Sequence, residues 1–71
     1  MKKYNVSFKT YHESYNGYDL CDGWTTYLVE ARNSRSAINK AKKLWRKDFH
    51  SAYWISETSC YTVEDSSKKE N

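Results

Sequence analysis

The sequence predicts an α+β fold, a single small ββαβ domain over residues 1–64 in which one helix packs on one face of a three-stranded antiparallel sheet. Three observations lead there. Two alternating stretches flank Asn16-Gly17, a helical stripe follows Asn33-Ser34, and a run rich in aromatic and β-branched residues closes the chain.

The first stretch, residues 3 to 14, alternates with period 2. Tyr4, Val6 and Phe8 fall on one face, and Asn5, Ser7, Lys9 and Tyr11 on the other. Asn16-Gly17 supplies two residues suited to positive φ, the strongest short signal for a tight hairpin. A turn centred there sets Tyr15 against Tyr18, Phe8 against Thr25, Val6 against Tyr27 and Tyr4 against Val29. The apolar faces of the two strands then coincide, and a slip of one residue would destroy the match. Asp22-Gly23 is a rival turn, but centring the hairpin there pairs the first strand with the helix cap, so Gly23 reads as a bulge or bend.

In the second strand Thr25, Tyr27, Val29 and Ala31 share one face, and Trp24, Thr26, Leu28 and Glu30 the other. Ser34 or Asn33 can cap the helix that follows, because a short polar side chain accepts from N–H groups that the first turn leaves unpaired. After the cap, Ala37, Ile38, Ala41, Leu44, Trp45 and Phe49 recur at spacings of three and four and line one buried side. Beyond the helix, Tyr53-Trp54-Ile55 and Cys60-Tyr61-Thr62-Val63 form one long strand or two short ones. Strict alternation would set Tyr53, Ile55, Tyr61 and Val63 on one face, with Trp54, Cys60 and Thr62 on the other. A right-handed crossover then places the third strand beside the first, in spatial order 2-1-3. Residues 65 to 71 have no apolar side chain and read as a disordered polar tail.

Composition bounds the function. At 71 residues the core is thin, yet an aromatic fraction of 17% buries much area with few residues. The net charge of +3 is uneven. Acidic groups lie on strands and loops, whereas the helix carries Arg35, Lys40, Lys42, Lys43, Arg46 and Lys47, answered only by Asp48. Two cysteines, Cys21 and Cys60, with no secretion signal and no long apolar run, point to a reduced cytoplasmic protein without a membrane segment.

Two surfaces stand out as candidate sites. The sheet face away from the helix carries Trp24, Leu28 and Trp54, with Tyr11 and Leu20 near the hairpin end, a density of apolar groups that suits a partner-binding face. A homodimer seam is the other reading of that face. The helix is the second surface, because neighbouring like charges attract phosphates or an acidic protein. Chemistry is harder to find. The assumed register opposes His12 and Cys21, but no ligand set has zinc spacing, and Asp19-x-x-Asp22-Gly23 lacks the further oxygens of a calcium loop. No nucleophile, base and orienting acid assemble, and there is no glycine-rich phosphate loop. A non-catalytic protein with neither cofactor nor metal is expected.

From Tyr27-Leu-Val-Glu-Ala-Arg-Asn-Ser through Ala37, Ala41 and Leu44-Trp45 to Tyr53-Trp54-Ile55, the chain resembles small phage-encoded anti-defence proteins, anti-CRISPR proteins among them. The likeness covers residues 24 to 56, lies in the order of strand, cap, alanine-spaced helix and strand, and transfers no functional residue. A basic helix departs from the acidic inhibitors that mimic DNA. The resemblance implies a stoichiometric inhibitor in the bacterial host cell that blocks a defence nuclease complex, anchored by Trp24, Leu28 and Trp54 or by the cationic helix. The alternative is a nucleic-acid-binding module that holds phosphates on the helix and stacks bases on the aromatic sheet face.

Overall fold

The structure, a computed structural model, describes residues 1–63. The elements follow the order β1 (Lys2–Glu13), β2 (Asp19–Ala31), α1 (Ser34–Asp48) and β3 (Tyr53–Thr62). They form an antiparallel sheet of order β2-β1-β3 and a single helix. The expected polar tail, 65 to 71, lies outside the described residues.

β1 is the central strand, and its alternation sets the core. Tyr4, Val6, Phe8 and Thr10 are buried, while Asn5, Ser7, Lys9 and Tyr11 between them are half-exposed. Val29 and Ala31 of β2 and Ala37, Ala41 and Trp45 of α1 complete the buried set, with Tyr27, Ile38, Phe49, Tyr53, Ile55 and Cys60 packed around it. Leu44 departs from its expected place in the stripe, being 39% exposed. The buried arc of α1 runs through Ala37, Ala41 and Trp45, and at about 100° per residue Leu44 falls on its flank rather than under it.

Along most of the hairpin the register is the expected one, with Tyr4 opposite Val29, Val6 opposite Tyr27 and Phe8 opposite Thr25. The turn that produces it differs. Ser14 faces Tyr18 across a three-residue loop, closed by hydrogen bonds from Ser14 N to Tyr18 O (2.7 Å) and from Gly17 N to Ser14 O (2.9 Å). Only Gly17 has positive φ there, at 87°, which marks a turn followed by one left-handed residue instead of a two-residue mirror turn. This loop shifts the pairing by one residue. A bulge at Asp22-Gly23 shifts it back, since Thr10 pairs with Gly23 and Tyr11 with Cys21. His12 therefore faces Leu20 and not Cys21.

A second bulge interrupts β3. Lys9 pairs with Glu57 and Thr10 with Ile55, so Ser56 is the extra residue. Strict alternation fails there. Cys60 and Thr62 align with Val6 and Tyr4 on the buried side of β1, while Tyr61 aligns with Asn5 and is 56% exposed. An extra residue inverts every position beyond it, which is why an unbroken period misplaces this half of the strand.

Asn33 caps α1, its side-chain oxygen accepting from Ser36 N at 2.9 Å. Inside the core, Trp45 Nε1 donates to Thr10 Oγ1 at 3.0 Å, which satisfies a buried indole and a buried hydroxyl together. Replacing Thr10→Val should strand that N–H and lower the unfolding free energy by about 1–3 kcal/mol, read from urea melts. Gly23, at φ 85°, has no atom within 4 Å of where a Cβ would sit. Gly23→Ala should therefore cost about 1–2 kcal/mol in the same assay, through backbone strain alone.

Candidate functional site

Both candidate surfaces grow out of the packing just described. On the sheet positions that alternate with the core, Trp24 is 50% exposed, Leu28 59% and Trp54 39%. All three lie outside the core cluster. Tyr11 is half-buried because Trp54, its pairing partner on β3, stacks on it with ring centres 6.2 Å apart and planes 16° from parallel. Lys9 Nζ lies 5.8 Å from the Tyr11 ring centre. Tyr61 belongs to the same sheet positions, and sequence reasoning missed it because the Ser56 bulge reverses the parity of β3 without a glycine to announce it.

The anchors are spaced out by polar pairs that satisfy one another. Lys9 pairs with Glu57 at 3.9 Å between Trp24 and Trp54, and Ser7 Oγ and Thr26 Oγ1 hydrogen-bond at 2.8 Å beside Leu28. Such exposed ion pairs contribute little to stability. Their effect here is to leave the ground between the rings nearly neutral.

On α1 the six cations separate into two rows. At about 100° per residue, Lys40, Lys43 and Lys47 fall on one flank and Arg35, Lys42 and Arg46 on the other. The surroundings agree. Lys40, Lys43 and Lys47 line a hollow with Leu44, Val29 and Glu30, whereas Lys42 and Arg46 line a groove against β3. Lys40 Nζ also donates to Glu30 O at 2.6 Å, and the Arg46 guanidinium lies 5.5 Å from the Trp45 ring centre. The six cations thus form two cationic rims. Among the described residues, no ion pair involves any of the six.

Asp48, the helix's one acid, is engaged elsewhere. It accepts from Tyr27 OH at 2.7 Å, tying the end of α1 to β2. Burial, this hydrogen bond and the carboxylate charge together push the Tyr27 phenol well above its ordinary range. His50 Nδ1 accepts from Ala52 N at 3.2 Å. His12 Nδ1 and Asp22 Oδ2 lie 2.7 Å apart, a contact that the bulge creates by turning Asp22 back toward β1. The cysteines are unpaired. Cys21 stands level with Tyr11 and Cys60 level with Val6, too far apart along β1 for a disulfide. Burial raises the Cys60 thiol above its ordinary value.

No protein-family model matches the chain, and no characterised protein or solved structure is significantly similar to it. The functional reading therefore rests on these surfaces.

The Tyr27 phenol also makes stability depend on pH. Its folded pKa is raised, so the stabilisation is complete below the unfolded value near pH 10 and is lost as pH climbs toward the folded one. Between about pH 9 and about pH 11 the urea midpoint of the wild type should fall more steeply than that of Tyr27→Phe, which has no proton there to lose.

Proposed function

We propose that this chain is a small non-catalytic binding protein in which α1 covers one face of the sheet and the other face docks on a protein partner. Trp24, Leu28, Trp54 and Tyr11 supply the anchors, and Tyr61 extends them. Following the resemblance stated above, the partner is a bacterial defence nuclease complex and the chain a phage-borne inhibitor acting by surface blockade in the host cytoplasm. The observation that carries the docking face is the exposure of two tryptophans and a leucine on positions that the core does not use. Large amphipathic rings are the residues on which interfaces concentrate their energy, and nearly neutral ground around them suits a desolvated protein contact.

The cationic rims of α1 serve as the second contact in this reading, steering an acidic partner before docking. A nucleic-acid strand suits the arrangement less well. With α1 on the far side of the sheet from Trp24 and Trp54, one strand would have to round a sheet edge to put phosphates on the helix and bases on the rings. The Lys9 charge beside those rings is already shared with Glu57.

Solution mass comes first, because a homodimer would occupy the same face; the proposal expects a monomer. Bacterial lysate is then passed over immobilised wild type and over the Trp24→Ala/Trp54→Ala double variant. Each truncation should cost about 2 kcal/mol or more, so the double variant should lose the captured protein. Equal capture by both would place the contact elsewhere. A salt-sensitive mobility shift with single-stranded DNA, abolished by the same double variant, would favour the nucleic-acid reading instead.

A further inference from the structure

The two edges of the sheet are not equivalent. Val63 N donates to Lys3 O at 2.8 Å, so Lys3 directs its backbone groups at β3. Antiparallel ladders alternate, and two consequences follow. On β3, the backbone N–H and C=O groups of Thr58, Cys60 and Thr62 point away from β1, toward an edge that no strand among the described residues covers. On β2, the groups of Glu30 opposite Lys3 likewise point outward.

On β2 that edge is guarded, since Lys40 Nζ has taken the Glu30 carbonyl. A lysine over an edge strand is a common means of discouraging an added strand. Each edge has a hollow between it and α1, but Lys40 occupies the one at β2. The groove at β3, about 370 Å³, is lined by Lys42, Trp45 and Arg46 from the helix and by 53–58 from the strand. Its volume is at the lower end of what concave binding sites enclose. Of the charges lining it, Glu57 is paired with Lys9, while Lys42 and Arg46 have no ion-pair partner among the described residues. The groove is therefore cationic.

We propose that the β3 edge and this groove bind an extended acidic segment of a partner protein, added as a fourth strand along Thr58–Thr62, with its carboxylates against Lys42 and Arg46. Backbone pairing supplies the affinity in this mode of recognition, and side chains beside the edge supply selectivity. The Ser56 bulge bends the strand at the point where the groove opens. It limits the added strand to the regular part of the edge and admits acidic side chains beyond it. Apart from Trp54, which borders both, the site shares no residue with the anchors of the aromatic sheet face.

The test is an amide NMR titration of the full chain with capped peptides. The first alternates Glu and Val, the second alternates Lys and Val, and the third repeats the Glu peptide with alternate backbone nitrogens methylated. The Glu peptide should give saturable shifts at the amides of Thr58, Cys60 and Thr62 and along Lys42 to Arg46, and neither other peptide should do so. The double variant Lys42→Glu/Arg46→Glu should weaken binding by about tenfold or more. Lys43→Glu/Lys47→Glu, on the opposite flank, should leave it within about twofold and so serves as the control for non-specific charge. Absence of saturable shifts, equal binding of the methylated peptide, or equal losses in the two double variants would overturn the proposal.

Discussion

The hydrogen bond between the Trp45 indole and the Thr10 hydroxyl is the constraint around which the structure is arranged. Thr10 is the one buried polar residue among those described, and both bulges lie next to it. The β2 register shifts just after Thr10, and the β3 register just before it. Bulges bend and over-twist a strand. The sheet therefore changes direction around the one position of β1 that must receive the indole. From Trp45 a line of rings continues outward. Phe49 stacks on it at 5.1 Å, Tyr53 meets Phe49 at 5.2 Å, and His12 meets Tyr53 at 5.0 Å. His12 then holds Asp22, the extra residue of the β2 bulge. Helix, connecting turn, central strand and bulge are joined through side chains that each satisfy a neighbour.

This arrangement explains which parts of the fold could be read from the sequence. The hairpin register was legible because two departures from regularity cancel. The three-residue loop displaces the pairing, and the Asp22-Gly23 bulge restores it before the core begins. Gly23 was a visible clue, since a strand glycine beside an aspartate seldom continues a regular ladder. The β3 bulge left no such clue, as Ser56 is not a glycine. The reversal of Cys60 and Tyr61 could be learned only from tertiary packing, where Cys60 lies among core residues and Tyr61 does not. Leu44 shows the same limit on α1. A spacing of three or four admits a residue to a stripe, but its place at the centre or on the flank of the buried arc decides whether it is covered.

The candidate surfaces were legible in part for a related reason. Trp24, Leu28 and Trp54 sit outside both bulge reversals, or on the side where the reversals agree with simple alternation, and the structure leaves them exposed. The helix charges were legible as a set and not as an arrangement. Counting lysines and arginines along a helix does not show that they straddle it, nor that Lys40 is committed to a carbonyl and Asp48 to a phenol. Tyr61 was invisible as a surface residue until the parity of β3 was known.

A chain with so thin a core has little freedom in where it places its rings. The interior takes Tyr4, Phe8 and Trp45, with Tyr27, Phe49 and Tyr53 packed at its margin. These cover the apolar area that a domain of this size can enclose. Trp24, Trp54, Tyr61 and Leu28 are surplus to that need. Each exposed ring costs solvation free energy, and replacing it with a polar residue would cost the fold little. Exposed apolar groups on otherwise polar sheet positions make physical sense when a contact outside the protomer repays them. The polar pairs between them, Lys9 with Glu57 and Ser7 with Thr26, are already satisfied within the chain. A partner covering this face would need to match rings more than charges, and the attraction of acidic groups would fall to the cationic rims of α1.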